Sequence, residues 1–289
     1  MYRVYTIFSV LLFITSFAFS QRKRAFLVGI SNYDNAITNY EWNNIHGVED
    51  VKLISPLLKS QGFTTTEILD SKATYKQITN SLSSFTNATK KDDIIYIHFS
   101  THGQPFEDKS GDEYDKWDES IVPYDAFKNF KKGKYEGARH LIDDELCRYL
   151  NKIRKKVGEN GHIYVIIDAC HAGTSSRGDE ITRGTMIGFS SNPNNRYNPP
   201  QEHMSTYILK QQKGYSPITF IEACRSDQIN RELKTSKGIF GALSFNVAQA
   251  LSTVKLSQNS LIFINAIKQS VKTRGNWPNN QNLVVEIGK

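Results

Sequence analysis

Cysteine and proline are both scarce in this chain. Its 289 residues include three cysteines and eight prolines. The cysteines are too few and too scattered for a disulfide framework, and no CxxC pair indicates structural zinc. The net charge is +7, but no run of basic residues is interleaved with aromatics, so we expect no nucleic-acid partner. A chain of this length, 39% hydrophobic and 11% aromatic, is not disordered and can bury a large core.

A targeting segment is predicted at residues 1–20. Arg3 precedes an apolar run over Ile7–Phe19, and small residues precede Gln21. This three-part pattern is typical of a secretory signal peptide. The run is short for a membrane span, so we expect an exported protein, periplasmic or secreted, with no stable membrane span after cleavage. The alternative is a buried N-terminal helix or a membrane anchor.

The rest of the sequence alternates between short apolar runs and amphipathic stretches. This alternation predicts an α/β fold with a mostly parallel sheet covered on both faces. The strands are expected at Arg24–Ile30, Thr64–Leu69, Asp93–Ser100, His162–Asp168, Thr219–Cys224 and Asn282–Ile287, and the helices at Gly47–Ser60, Tyr75–Phe85, Asp143–Ile153, Phe240–Leu251 and Leu261–Val271. Two segments interrupt the pattern: an acidic stretch over Gln104–Asp125 and a long polar segment over Gly173–Gly214. A loop as long as the second is normally functional or disordered.

Two reactive side chains follow the two clearest strands. His102 lies in FSTHGQ and Cys170 in IIDACHAGT. Both are therefore expected at the carboxyl edge of one sheet, where ligand sites of such folds lie. A thiolate there can attack a carbonyl while an imidazole transfers the protons. Gly103 and Gly173 allow backbone N–H groups to approach a developing oxyanion. The alternative for either residue alone is a buried core side chain.

The paired motifs THG and DACHAG resemble those of the caspase-like cysteine peptidases, particularly metacaspases and their bacterial relatives. RAFLVGISNY, IEACRSDQ and GIFGALS fit the same resemblance, which extends from about residue 24 to residue 289. It implies an α/β/α sandwich around a mostly parallel sheet of about six strands. The implied organisation is a peptidase domain over 21–289, with a large-subunit-like part (22–173), a flexible processing loop (174–214) and a small-subunit-like part (215–289).

The resemblance also assigns roles to the site residues. It implies Cys170 as the nucleophile and His102 as the general base and acid. The backbone N–H groups of Gly103 and Cys170 would form the oxyanion hole, and the chemistry would need no cofactor. His171, beside the nucleophile, is the nearest rival for the base, but its family counterpart is not given that role.

An acidic specificity pocket is implied by the same motifs. In metacaspases an Asp two residues before the nucleophile, a Ser two before the histidine and an Asp of a G-x-x-D turn line this pocket. These map onto Asp168, Ser100 and Asp50. Carboxylates in a cleft pair well with a guanidinium, so we expect a peptide or protein substrate with Arg, or secondarily Lys, before the scissile bond. The alternatives are a helix-start acid for Asp50 and a strand-end acid binding backbone amides for Asp168.

Calcium activation is a further expectation. In calcium-activated metacaspases, acids occur after the catalytic histidine and at a later Asp-Asp pair, positions that Asp118, Asp143 and Asp144 match. A further acid of that pattern is replaced here by Arg177. The alternatives are a solvated acidic loop and ordinary helix capping.

The basic residues past the nucleophile suggest self-processing. Arg177 and Arg183 are the candidate cleavage sites of an enzyme that cuts after Arg. Two rival functions remain: a catalytically silent caspase-like binding or scaffold module, and a clostripain- or legumain-like peptidase of different specificity. Nothing in the sequence predicts the oligomeric state.

Overall fold

A computed structural model describes residues 21–33, 35–111, 113–170, 181–199, 213–273 and 275–288. The predicted signal peptide and Arg177 lie outside these ranges. The strands are β1 (Lys23–Gly29), β2 (Phe63–Leu69), β3 (Ile94–Ser100), β4 (His102–Glu107), β5 (Trp117–Val122), β6 (Leu141–Ile142), β7 (His162–Asp168), β8 (Ile218–Glu222), β9 (Glu232–Thr235), β10 (Gly238–Gly241) and β11 (Val284–Gly288). The helices are α1 (Gly47–Ser60), α2 (Tyr75–Ala88), α3 (Asp143–Val157), α4 (Ala242–Thr253) and α5 (Ser260–Lys272).

The central sheet has six strands in the order β11-β8-β7-β3-β1-β2. Every pair is parallel except β11 with β8. Successive side chains of a strand point to opposite faces. In β1, Phe26 and Val28 therefore pack in the core under α2 and α3, whereas Ala25 and Leu27 pack in the core under α1, α4 and α5. The predicted α/β/α sandwich with a mostly parallel sheet of six strands is confirmed.

The acidic stretch over Gln104–Asp125 differs from the loop that we expected. It contains β4 and β5, which form an antiparallel hairpin, and β5 also pairs with the short β6. Asp118 and Glu119 interrupt the apolar pattern of β5, and this hides the strand in the sequence. The hairpin places His102 in the first position of β4.

One helix boundary also differs from the prediction. The helix expected from Phe240 begins at Ala242, because Gly238–Gly241 pairs with β9 as a small hairpin. Within the long polar segment, residues 181–199 are packed against the domain, and Arg183, Thr185 and Phe189 are buried. Within the described ranges, no helix is both long and apolar enough to cross a bilayer.

The buried Glu222 at the end of β8 gives the fold a testable pH dependence. Burial, and secondarily the charge of Glu286, raise the pKa of Glu222 to about 8. The folded state therefore keeps a proton between about pH 4.5 and 8 that the unfolded chain releases, so the Glu222 contribution to stability is lost as pH rises through this window. We expect Glu222→Gln to be more stable than wild type at pH 8, by on the order of 3 kcal/mol, with little difference at pH 4.5.

Urea denaturation at both pH values, with every chain carrying Cys170→Ala, measures this difference. The exposed Glu136→Gln serves as the control and is expected to follow wild type at each pH. Parallel pH slopes for wild type and Glu222→Gln would contradict a protonated, buried Glu222.

Candidate active site

The two reactive side chains follow neighbouring strands of the central sheet. Ser100, the last residue of β3, pairs in register with Asp168, the last residue of β7. The Thr101 N–H donates to the Asp168 carbonyl at 3.4 Å and continues this contact past the strand ends. His102 and Cys170 each come two residues after the Ser100–Asp168 pair. The structure therefore brings their backbones side by side at one edge of the sheet.

The His102 imidazole is held by aromatic contacts and one hydrogen bond. It stacks on Trp42 with ring centroids 4.9 Å apart and meets Tyr33 edge to face at 4.7 Å. Its Nε2 lies 2.8 Å from the Asn43 carbonyl oxygen, which can only accept, so Nε2 carries the proton. Nδ1 is then the lone-pair nitrogen, and no hydrogen-bond partner for it lies in the part of the chain that the structure describes. Burial lowers the pKa of His102 to about 4, which leaves it neutral and able to accept a proton at pH 7.

The Cys170 sulfur is buried and contacts a backbone carbonyl. Its Sγ donates to the Gln228 carbonyl oxygen at 2.7 Å, and the side chain is 1% exposed. The nearby thiol of Cys224 lies 3.5 Å from the same oxygen.

Two backbone N–H groups converge on a single oxygen. The N–H groups of Gly103 and Cys170 both donate to the Arg183 carbonyl, each at 3.1 Å. Two donors aimed at one oxygen is the arrangement that stabilises an oxyanion in acyl transfer. The two residues that the sequence motifs suggested for this role thus bind the carbonyl oxygen of a third.

The Arg183 side chain is fully buried among carboxylates. Its Nη2 lies 2.8 Å from Asp50 Oδ2 and 2.7 Å from Glu232 Oε1, and its Nε donates to the same Glu232 oxygen at 3.1 Å. Its Nη1 donates to Ser100 Oγ at 2.6 Å. These contacts use the whole width of the guanidinium plane, which the point charge of a lysine cannot reproduce.

Asp50 and Asp168 contribute to this pocket in different ways. Asp50 contacts the guanidinium directly and also accepts hydrogen bonds from the Ser100 hydroxyl at 2.6 Å and the Gly241 N–H at 3.0 Å. Burial raises the pKa of Asp50 to about 7, and the Arg183 charge opposes that rise. Asp168 Oδ2 is 3.8 Å from Nη1 and instead accepts from the N–H and hydroxyl of Ser244. Asp168 thus supplies negative charge at longer range while it fixes the start of α4.

Glu232 is a pocket residue that the sequence analysis missed. Its two oxygens also accept from the His46 backbone N–H at 2.7 Å and contact His46 Nδ1 at 2.5 Å. Burial acts to raise the pKa of Glu232, but Arg183 and His46 outweigh it, so the pKa is lowered. No motif marks Glu232, because only the folding of the β9–β10 hairpin brings it to the pocket.

The segment around Arg183 contacts the site through main-chain hydrogen bonds and isolated bridges. The Arg183 N–H donates to the Asn230 carbonyl at 3.1 Å, and the Glu232 N–H donates to the Ile181 carbonyl at 3.1 Å. Gly184 forms a parallel bridge with Gly103. A Cβ atom on Gly184 would lie 2.0 Å from the Cys170 carbonyl oxygen, so only glycine allows this close approach. The 181–184 segment therefore pairs with the site on both sides through main-chain hydrogen bonds and a bridge.

The acids suggested for calcium do not form a group of metal ligands among the described residues. Asp118 and Asp143 are buried, and burial followed by the Asp118 charge raises the pKa of Asp143 to about 9. Asp143 Oδ1 has no hydrogen-bond partner among the described residues. Those residues contain no group of three or more His, Cys, Asp or Glu side chains that could hold a metal ion. Calcium, with Asp144 as a further ligand, stays a prediction, and no step of the chemistry below uses a metal.

Comparison with known proteins gives the same family as the motifs. The family model described as the caspase domain matches residues 22–283. Metacaspase-3 of Arabidopsis thaliana is 28% identical over 244 residues, and the match covers 80% of this chain and 60% of that protein. Metacaspase-1B of Aspergillus fumigatus is 29% identical over 165 residues, which cover 53% of this chain and 36% of that protein. The chain thus spans less than two thirds of the length of these relatives.

Solved structures show the same fold. A crystal structure of a Geobacter sulfurreducens protein has a TM-score of 0.62 at 18% identity, and covers 92% of this chain and 93% of that one. The pro-sf-caspase-1 structure has a TM-score of 0.51 at 13% identity, and covers 93% of this chain and 87% of that one. The family match spans almost the whole chain, and the chain belongs to the caspase-domain family of cysteine-type peptidases.

Proposed function

We propose that this protein is a cysteine endopeptidase that cleaves peptide bonds after Arg, and that it processes itself after Arg183. The observation that carries the proposal is the way in which Arg183 is bound. Its guanidinium lies between Asp50 and Glu232 while its carbonyl oxygen accepts both N–H groups of Gly103 and Cys170. The residue before a scissile bond must place its side chain in the specificity pocket and its carbonyl oxygen on the two N–H groups at the same time.

The reaction follows from the groups around that carbonyl. The Cys170 thiol transfers its proton to His102 Nδ1 as its sulfur attacks the carbonyl carbon. The oxygen becomes an oxyanion held by the two backbone N–H groups. The imidazolium then protonates the leaving amine as the C–N bond breaks, which leaves a thioester. Water, deprotonated by the same imidazole, hydrolyses the thioester and regenerates the thiol. The Asn43 carbonyl keeps the proton of Nε2 in place, so Nδ1 serves as the base.

Fluorogenic peptides with Arg, Lys, Asp or Asn before the reporter test this function. The full chain is incubated until self-processing is complete, and each peptide is then assayed against wild type and Cys170→Ala. We expect Arg peptides to react fastest, Lys peptides more slowly and the others not at all. Activity in Cys170→Ala, or preference for Asp or Asn, would overturn the proposal. No Cys170-dependent cleavage of any peptide would favour a silent binding module.

The direct contacts of Asp50 and Glu232 with the guanidinium predict that neutralising either carboxylate lowers the cleavage of Arg peptides. Asp50→Asn keeps the size of the side chain but removes one partner of a buried charge pair, a loss of about 3–4 kcal/mol. We therefore expect kcat/KM for an Arg peptide to fall by about 10²–10³-fold, with Glu232→Gln in the same range. The exposed variant Glu136→Gln is the control and is expected to change little. Unchanged Arg cleavage in Asp50→Asn would show that this pocket does not bind the substrate cation.

A further inference from the structure

A second thiol lies beside the nucleophile. Cys170 follows β7 and Cys224 follows β8, and these two strands are parallel neighbours in the sheet. The two cysteines form a small buried cluster of their own, and both sulfurs contact the Gln228 carbonyl oxygen, at 2.7 and 3.5 Å. The two thiols also share a side-chain hydrogen bond, so their sulfurs are already in contact, as a disulfide between them requires.

The remaining cysteine lies elsewhere. Cys147 is on α3 and packs in the core on the opposite face of the sheet from α1 and α4. It therefore serves as an internal control for any thiol chemistry of the other two.

We propose that Cys224 is a resolving thiol that forms a reversible disulfide with Cys170 when the enzyme meets a hydroperoxide. The Cys170 thiolate attacks one peroxide oxygen, the O–O bond breaks, and a sulfenic acid and hydroxide result. The Cys224 sulfur then attacks the Cys170 sulfur, the S–O bond breaks, and water leaves with the Cys224 proton. The two sulfurs together lose two electrons and the peroxide gains them. The expected loss of activity rests on the proposed function, in which Cys170 is the nucleophile. Formation of the Cys170–Cys224 disulfide does not depend on that function.

The order of the two steps follows from the electrostatics of the pair. A hydrogen bond with Cys170, burial, and the charge of Cys170 raise the pKa of the Cys224 thiol well above its usual value. Because the Cys224 thiol resists ionisation, we assign the first reaction with peroxide to Cys170. Once oxidised to a sulfenic acid, Cys170 no longer carries the charge that opposes ionisation of Cys224.

Arg183 and Gly184 determine when this reaction can occur. Gly184 lies against the Cys170 backbone, and Cys170 is 1% exposed while the 181–184 segment occupies the cleft. Peroxide should therefore reach the thiol mainly after self-cleavage has freed the segment. We expect wild type treated with peroxide before self-cleavage to oxidise more slowly than wild type treated after it.

The test uses processed, fully reduced wild type treated with a molar excess of hydrogen peroxide. Thiols are then blocked, the protein is digested, and peptides are identified by mass spectrometry. We expect a Cys170–Cys224 linked peptide and an intact mass in which the two fragments are joined and weigh about 2 Da less than their sum. We also expect an Arg-peptidase activity that falls more than tenfold and returns with dithiothreitol. In Cys224→Ser and Cys224→Ala we expect Cys170 to proceed to sulfinic acid, so that dithiothreitol restores less than about a tenth of the activity.

Cys147→Ala is the matched control and is expected to behave as wild type. The proposal is overturned if no Cys170–Cys224 peptide forms and if wild type is inactivated as irreversibly as Cys224→Ser. Reduced wild type that shows the linked peptide after oxidation but never cleaves Arg peptides would reject the proposed function and leave the disulfide standing.

Discussion

Arg183→Ala is expected to destabilise the folded chain by about 3–5 kcal/mol at neutral pH. The guanidinium is the cation that the described structure places between Asp50 and Glu232, with Asp168 nearby. Its removal leaves buried carboxylates without compensating charge. The measurement is urea denaturation in a Cys170→Ala background, so that neither form is cleaved.

The matched control is Arg225→Ala. Arg225 pairs with Asp227 at 3.3 Å, but both side chains are about 30% exposed, so its loss is expected to cost less than about 1 kcal/mol. Adding a guanidinium compound such as methylguanidine should partly restore the stability of Arg183→Ala but not that of Arg225→Ala, because a ligand stabilises the state that binds it. Equal, small losses in the two variants would contradict a pocket whose acids are held together by Arg183.

Loss of the nucleophile or the base gives the second large effect. Cys170→Ala is expected to lower kcat/KM for an Arg peptide by at least about 10⁴-fold, and His102→Ala by about 10³–10⁴-fold, with KM changed far less. The double variant should be no worse than Cys170→Ala alone, because the two groups act as one unit. Cys147→Ala is the control for general damage. If His102→Ala keeps more than about a tenth of the activity, another residue is the base.

The sequence predicted the parts of the site that local patterns encode. The apolar runs before Ser100 and Asp168 mark β3 and β7, so the positions of His102 and Cys170 at one sheet edge could be expected. Glycine at position 47 could also be read as a helix start. A Cβ there would lie 2.2 Å from the Ser100 carbonyl oxygen, and this close packing sets Asp50 into the pocket.

The missed parts depend on contacts between distant segments. Glu232 meets Arg183 only because β9 folds back beside the cleft, and no local pattern encodes that approach. The His102 environment likewise depends on Tyr33 and Trp42, which lie far from it in sequence. The sequence of the packed 181–184 segment is typical of a loop. Contacts with the pocket hold it in place, and no local pattern in its own residues indicates them.

The central claim is that Arg183 occupies the position of the residue before the scissile bond. The N-terminus of any small fragment tests this claim most directly. Purified wild type and Cys170→Ala are incubated at several protein concentrations and followed by intact mass and N-terminal sequencing. We predict that wild type yields a fragment beginning at Gly184, at a rate independent of concentration, and that Cys170→Ala and Arg183→Gln do not. An uncut wild-type chain, or a cut that leaves the Arg183–Gly184 bond intact, would contradict the account.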